Sequence, residues 1–297
     1  MDIDMAVTYL QFVEDRHSIW ESRQLGEDSP WATDPILASR KFTNVYRVLD
    51  PGTQFFVSEL MVADDPTPRD VLARAILYRH TNRPEPWVAA YGEMGRYPLA
   101  DDMNPKLAKL WCGLRDDGLK VFSNAYMILA ERQTKGVDKT EGVIRESRRI
   151  VDQAWPSFGK AATLEQKFYS LFDLKGMGPF MSMQVITDYG YAGFDGDQED
   201  GFIILGPGAK RGARAIAPGG NLYETFHWAV ESVRASDTCP VILTPSGKLR
   251  KPSYMDVQNT FCEMGKYVRF MGKPLVDRSY KPAHPGKQDK PVLPAHW

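Results

Sequence analysis

The 297 residues carry 43% hydrophobic and 25% charged side chains, enough apolar material for a packed core and against a wholly disordered chain. The formal net charge of −1 gives no global positive field, so any hold on nucleic acid has to come from local basic patches. Three cysteines, Cys112, Cys239 and Cys262, are odd in number and far apart, which argues against a disulfide framework. The start is acidic with no apolar stretch, and no apolar run reaches the roughly 20 residues of a membrane span. A soluble protein of the cytoplasm, the host's if the source is viral, is expected, with no membrane partner.

Helical spacing dominates the pattern. Ala6, Leu10, Val13, His17 and Trp20 recur by three or four and form one helix face. Asp34-Pro35 reads as an N-cap and a helix-starting proline, predicting a helix over Ile36 to Leu49. Asp65-Pro66-Thr67-Pro68 opens another over Arg69 to His80. Further helices are predicted over Pro105 to Leu114, Val121 to Arg132, Thr140 to Trp155, Thr163 to Phe172, Pro179 to Tyr189, Leu222 to Arg234 and Tyr254 to Met271. Strand signals are sparse: Phe202 to Leu205 fits a short strand or a buried turn. The predicted fold is mainly α, a helical bundle with little β structure. Residues 1–270 read as one helical domain, or two lobes divided near 135–160. Residues 271–297, rich in Pro and Lys, read as an extended or disordered tail.

Several chemistries lack their residues. No G-x-x-x-x-G-K-[ST] loop is present, which excludes a P-loop kinase within this sequence. His17, His80, His227, His284 and His296 form no metal spacing with cysteine, which excludes a zinc deaminase. No G-x-S-x-G occurs.

Five segments can carry function. Leu174-Lys175-Gly176-Met177-Gly178-Pro179 lies between two predicted helices; it suits a hairpin whose backbone holds a DNA phosphate, or an ordinary tight connection. Asp200 to Gly212, with Gly206, Gly208, Lys210 and Arg211, is a phosphate cradle or a surface loop with solvated charges. Arg79 to Trp87 crowds Arg79, Asn82, Arg83 and Trp87 at a helix end, able to clamp phosphate and stack on a base, or simply to cap the helix and fold onto the core. At helical spacing Arg40, Asn44 and Arg47 share a face, solvated unless it lines a cleft. Asp256, Asn259, Glu263 and Lys266 follow by three, four and three and share one face, a solvated salt-bridged face or an amine-handling site.

In their order these segments resemble one family. The residues concerned are Pro30-Trp31-x-x-Asp34, Lys41 to Arg47 with Asp50, Asn82-Arg83-Pro84-Glu85-x-Trp87, Gly176-x-Gly178-Pro179-Phe180, Gly206-Pro207-Gly208-Ala209-x-Arg211-Gly212, and Asp256-Val257-Gln258-Asn259-x-x-Cys262-Glu263-x-x-Lys266-Tyr267. They resemble the phage alpha-glutamyl/putrescinyl thymine pyrophosphorylases, or amino acid:DNA transferases, related to the helical domain of hydroxymethyluracil DNA kinases. The resemblance runs from about Trp20 to Arg269. It implies an enzyme that places an amino acid or polyamine on a 5-(pyro)phosphomethyl uracil in double-stranded DNA and displaces (pyro)phosphate. The architecture also resembles helix-hairpin-helix DNA glycosylases, which leaves two alternatives: a glycosylase for a modified pyrimidine, with Asp200 as the carboxylate past the hairpin, or a non-catalytic DNA-binding helical module. Under the transfer reading Arg79, Arg83 and Arg211 neutralise the leaving group and Glu263 or Asp256 takes the amine proton, beside Lys266 and Asn259. Trp87 or Trp31 stacks on the base, Asn44, Arg47, Asn82, Gly206 and Gly208 line the substrate, and Lys175, Gly176 and Gly178 touch DNA. Cys262 is either a nucleophile toward C6 of the ring or a packed small side chain. No cofactor and no metal ligands are expected, with a divalent ion left open.

Overall fold

The computed structural model describes residues 1–123, 136–273 and 290–297. The helix predicted over 121–132 therefore lies almost wholly outside the described residues, as does most of the predicted tail. In chain order the α-helices are α1 (Ile3–Leu25), α2 (Pro35–Ser39), α3 (Pro51–Phe55), α4 (Pro68–Thr81), α5 (Glu85–Met94), α6 (Pro105–Asp116), α7 (Lys139–Phe158), α8 (Leu164–Phe172), α9 (Pro179–Gly190), α10 (Pro207–Ile216), α11 (Leu222–Ala235) and α12 (Tyr254–Tyr267). Two short antiparallel strands, β1 (Ile242–Leu243) and β2 (Leu249–Arg250), pair Ile242 with Arg250 and Leu243 with Leu249. The fold is mainly α, as the periodicity implies.

The local chemistry explains most helix starts. Asp34 accepts from the amides of Ile36 and Leu37, with Pro35 behind it. Thr67 and Asp70 form a reciprocal capping box on α4, Ser253 and Asp256 another on α12. Sequence reading and structure differ at four places. The helix predicted to run on to Leu49 stops at Ser39, and 41–44 has no regular structure. The segment 206–212 is a cap followed by a helix, not a loop, and Glu85–Met94 is a helix that periodicity did not single out. Phe202 to Leu205 forms no strand. Trp297, in the predicted tail, is buried, with the Arg250 guanidinium 3.9 Å from its ring centroid.

The described residues pack as two compact units, each discontinuous in sequence. The first comprises the described residues of 1–50 and 205–293 with Trp297. Its centre is the crossing of α10 and α12, and the crossing is close because glycines make it so. A Cβ at Gly212 would run into the Phe261 carbonyl oxygen, and one at Gly208 into the Cys262 sulfur. A Cβ at Gly265 would sit 2.9 Å from the Gly208 carbonyl oxygen. Aromatic side chains fill the rest: Tyr9 lies edge-on to Phe261 at 5.1 Å and shares a 2.7 Å hydrogen bond with Thr260.

The second unit comprises the described residues of 51–204 with 294–296. Its axis is α4, buried on every side from Val71 to Thr81. Such a helix has to satisfy its charges internally. Arg74 gives its guanidinium to the carbonyls of Leu60, Ala63, Tyr97 and Pro98, and Arg79 is chelated by Asp188 of α9. The stretch near 135–160 carries α7, inside this unit. α8 and α9 are joined by the turn 173–178, in which Gly176 has φ +93°. Gly178 caps α9 in extended backbone with open space where a Cβ would go.

These two kinds of glycine respond differently to one methyl group. Gly212→Ala forces α10 off a backbone atom and lowers unfolding free energy by about 2 kcal/mol or more. Gly178→Ala changes it by less than about 1 kcal/mol. Urea unfolding of both variants checks the contrast; equal losses would contradict the close crossing.

Candidate active site

The polar face of α12 does have the spacing read from the sequence, but most of it grips backbone. Asp256 accepts the Arg47 amide at 2.8 Å. Asn259 donates to the Asn44 carbonyl at 2.9 Å and to the Thr43 hydroxyl at 3.1 Å. Glu263 accepts the Thr43 amide at 3.2 Å, and Lys266 donates to the Lys41 carbonyl. Residues 41–47 are thereby laid along α12, one contact per turn. Asp256 is buried and its second oxygen caps its own helix through Ser253, so burial pushes its pKa up while the cap and Arg47 amides pull it down. Glu263 keeps some exposure and has Lys266 at 3.5 Å, which leaves a carboxylate and an amine side by side.

Asn44 ties the same segment together. Its amide donates to Asp50 at 2.9 Å, its side chain donates to the Leu49 carbonyl at 2.7 Å, and it accepts from Arg16 at 3.2 Å. Arg47 is buried through this turn. The Asp50 carboxyl is pushed up to about 6, first by burial and further by Glu263, against the Asn44 amide and the charges of Arg47 and Arg16. Asp50 is thus a second titratable carboxyl beside Glu263, quoted in the sequence only as part of a motif.

The glycine-rich motif packs α10 on α12. Gly208 and Gly212 face α12, Gly206 caps α10, and Arg211 lies exposed on α10. Cys262 packs on Gly208, and burial, with Glu263 adding to it, raises its thiol pKa against Arg211, Lys266 and Arg269. A raised pKa leaves little thiolate.

Beside this face, in the same unit, is a pocket of about 170 Å³ lined by Arg16, Arg23, Arg40, Trp31, Pro30 and Phe42, among others. Arg16 donates to the Phe42 carbonyl at 2.9 Å, Arg23 lies over the Trp31 ring at 5.5 Å and Arg40 over Phe270 at 4.7 Å. The Trp31 indole is fixed by donation to the Glu27 carbonyl at 2.8 Å. Phe42 joins pocket and face, with the Lys266 ammonium 4.5 Å from its ring. Arg16 and Arg23 were missed in the sequence. Their signal is a seven-residue spacing, two turns on one face of α1 with Ile19 between them.

The second unit holds the remaining candidates. Trp87 is fully buried, edge-on to Trp111 at 5.7 Å, and presents no face to a base. Arg79 is 3% exposed and taken up by Asp188, with Thr53 3.3 Å away. Asn82 ends α4 in left-handed backbone and accepts from Arg79, while Arg83 pairs with Glu85. Asp200 is exposed in a turn. Lys175 is exposed on the α8–α9 turn, and its carbonyl is held by Arg149. Among the described residues no group of three or more His, Cys, Asp or Glu side chains could hold a metal ion, and no helix is long and apolar enough to cross a membrane.

Residues 4–276 match the family described as 5-hmdU DNA kinase, helical domain. The chain belongs to that family. It is similar to a 5-hmdU DNA kinase of Bacillus phage SP10, 26% identical over 227 residues, which cover 70% of this chain and 35% of the kinase. The chain therefore spans about a third of that relative's length. No solved structure matches. In the first unit of this chain the strapped α12 face and the arginine pocket each bring charged side chains together.

The Asp50 carboxyl gives the site a pH signature. Its pKa rises on folding from 3.8 to about 6, so its protonated form is the one that the fold favours. That contribution is full below pH 3.8 and is lost as pH rises through about 6. The ionised carboxylate then costs up to about 3 kcal/mol. Asp50→Asn keeps an acceptor for the Asn44 amide and removes the charge. Unfolding titrations are expected to show the variant more stable than wild type at pH 7.5 and the gap closing toward pH 4; a gap independent of pH would contradict the assignment.

Proposed function

We propose that this chain transfers an amino acid or polyamine onto a uracil in DNA that carries a 5-phosphomethyl or 5-pyrophosphomethyl group. The carrying observation is membership, over residues 4–276, of the helical-domain family of 5-hmdU DNA kinases. The alcohol of 5-hydroxymethyluracil is the group whose phosphate ester this reaction consumes. The ordered motifs that resemble those of the thymine pyrophosphorylases support the transfer step over phosphorylation.

In the reaction an amine lone pair forms a C–N bond at the 5-methylene carbon. The C–O bond breaks, and its electron pair leaves on phosphate or pyrophosphate. The proton of the new ammonium passes to a carboxylate. Glu263 is our candidate acceptor, beside Lys266, with Asp50 next to it in the Asn44 network. Arg211 is the exposed cation of the glycine-rich motif and a candidate for the leaving group. The raised thiol pKa of Cys262 favours direct displacement over a covalent enzyme intermediate. DNA contact is assigned to the α8–α9 turn. Open space at Gly178 admits a phosphate to the first amides of α9, and Lys175 adds a charge.

A second reading, a module that binds 5-hydroxymethyluracil DNA without chemistry, is supported by the match being to a helical domain rather than to a kinase domain. Nucleoside mass spectrometry separates the readings. DNA bearing 5-phosphomethyl or 5-pyrophosphomethyl uracil is incubated with the protein and a panel of amino acids and polyamines. Transfer yields an amino-linked nucleoside, retained in Cys262→Ser and reduced at least tenfold in Glu263→Gln. Gly178→Ala weakens DNA binding by about tenfold whatever the base, the value of one lost charge-assisted hydrogen bond. Retarded DNA with unchanged nucleosides for every amine would overturn transfer and leave the module. Alkali-labile sites lost in Asp200→Asn would mark a glycosylase.

A further inference from the structure

The pocket at Arg16, Arg23, Arg40 and Trp31 is not accounted for by the strap along α12. It combines three guanidinium groups with an indole whose position is fixed by its own hydrogen bond. Among the described residues its lining contains no Asp or Glu, so the lining side chains carry three positive charges. The Nε of Arg23 is buried without a hydrogen-bond partner, a cost that a bound acceptor would remove. Arginines suit the planar, bidentate capture of phosphate oxygens, and a tryptophan beside them suits an aromatic ring. The pocket's volume of about 170 Å³ is ring-sized; an engineered cavity of about 150 Å³ takes up benzene. Arg16 and Phe42 belong both to this lining and to the contacts of the strapped segment, since Arg16 also donates to Asn44 and Phe42 carries Lys266.

We propose that this pocket receives a phosphorylated pyrimidine turned out of the DNA stack, with Arg23 and Arg40 on the phosphate oxygens and Trp31 against the ring. The assignment deepens the transfer reading and rests on it for the identity of the ring. Turning the base out costs a few kcal/mol of stacking, and a pocket that takes both ring and anion offsets that cost only for the phosphorylated base. Unmodified thymine, lacking the anion, is thereby refused.

Calorimetry on the full chain tests this with three probes: 5-phosphomethyl-2′-deoxyuridine, thymidine and inorganic pyrophosphate. The phosphorylated nucleoside is expected to bind at least tenfold tighter than thymidine. Arg23→Gln and Arg40→Gln are each expected to weaken it tenfold or more, with thermal unfolding unchanged. Trp31→Leu is expected to weaken the phosphorylated nucleoside at least fivefold while changing pyrophosphate binding less than twofold. Equal binding of thymidine, or wild-type affinity in both arginine variants, overturns the proposal. The transfer reading fails separately: wild-type turnover in Arg23→Gln and Arg40→Gln removes the pocket and leaves transfer standing, whereas arginine-dependent binding with no transfer from any amine supports the pocket and removes transfer.

Discussion

Backbone that leaves a helix must find new hydrogen-bond partners, and in the first unit residues 41–47 find them on the side of α12. Asp256, Asn259, Glu263 and Lys266 each take a backbone group of that segment, the first three through the amides of Arg47 and Thr43 and the carbonyl of Asn44. Hydrogen bonds to charged groups are worth about 1.5–3 kcal/mol net, against about 0.5–1.5 kcal/mol for neutral ones. The strap is therefore held firmly without any sheet. On its other side α12 is pinned by α10, through glycines that allow backbone to touch backbone. The side chains borne by the strap and by α1 then have fixed places. Phe42 supports Lys266, Asn44 holds Arg16 and Asp50 by hydrogen bonds, and the arginine pocket forms beside them.

This dependence shows what the sequence could and could not reveal. Caps are local, so the starts of α2 and α4 were legible from Asp34-Pro35 and Asp65-Pro66-Thr67-Pro68, while the Ser253 cap of α12 went unread. The shared face of Asp256, Asn259, Glu263 and Lys266 was legible from spacing alone. What that face touches lies more than 200 residues away in the chain, and no local pattern encodes it. The same distance explains the overlong α2: Lys41 to Arg47 has helical periodicity, but α12 offers its backbone better partners than another helical turn. Glycine misled in α10, since its poor intrinsic helix propensity is overridden where only glycine allows the crossing. Trp87 and Arg79 carried residue types suited to nucleic acid, yet one fills the core and the other neutralises Asp188. Arg16 and Arg23 were hidden because two arginines on a helix are usually solvated.

Family membership points to 5-hydroxymethyluracil in DNA, and the proposed chemistry needs a proton acceptor, a cationic site for the leaving group and a place for the extruded base. On the strapped face Glu263 and the raised Asp50 carboxyl are our candidates for the first, Arg211 and the pocket arginines for the second, and the pocket for the third. Cys262 packs where the absent Cβ of Gly208 leaves room for its sulfur, and its raised thiol pKa supports the packing role over the nucleophilic one. With a formal charge of −1 the chain has no global positive field, and the three arginines of the pocket are a local cationic group.

The account stands or falls on the strap. Amide hydrogen exchange resolved at residues 41–47 tests it most directly. Thr43 and Arg47 donate to carboxylates of α12, so their amides are predicted to exchange on the order of a hundredfold or more slower than an unstructured chain. Asn259→Ala is predicted to speed both without unfolding α12. Exchange of Thr43 and Arg47 at the unstructured rate in the wild-type protein would contradict the account, because the segment would not be held on α12 and the pocket would lose the wall that Phe42 supplies.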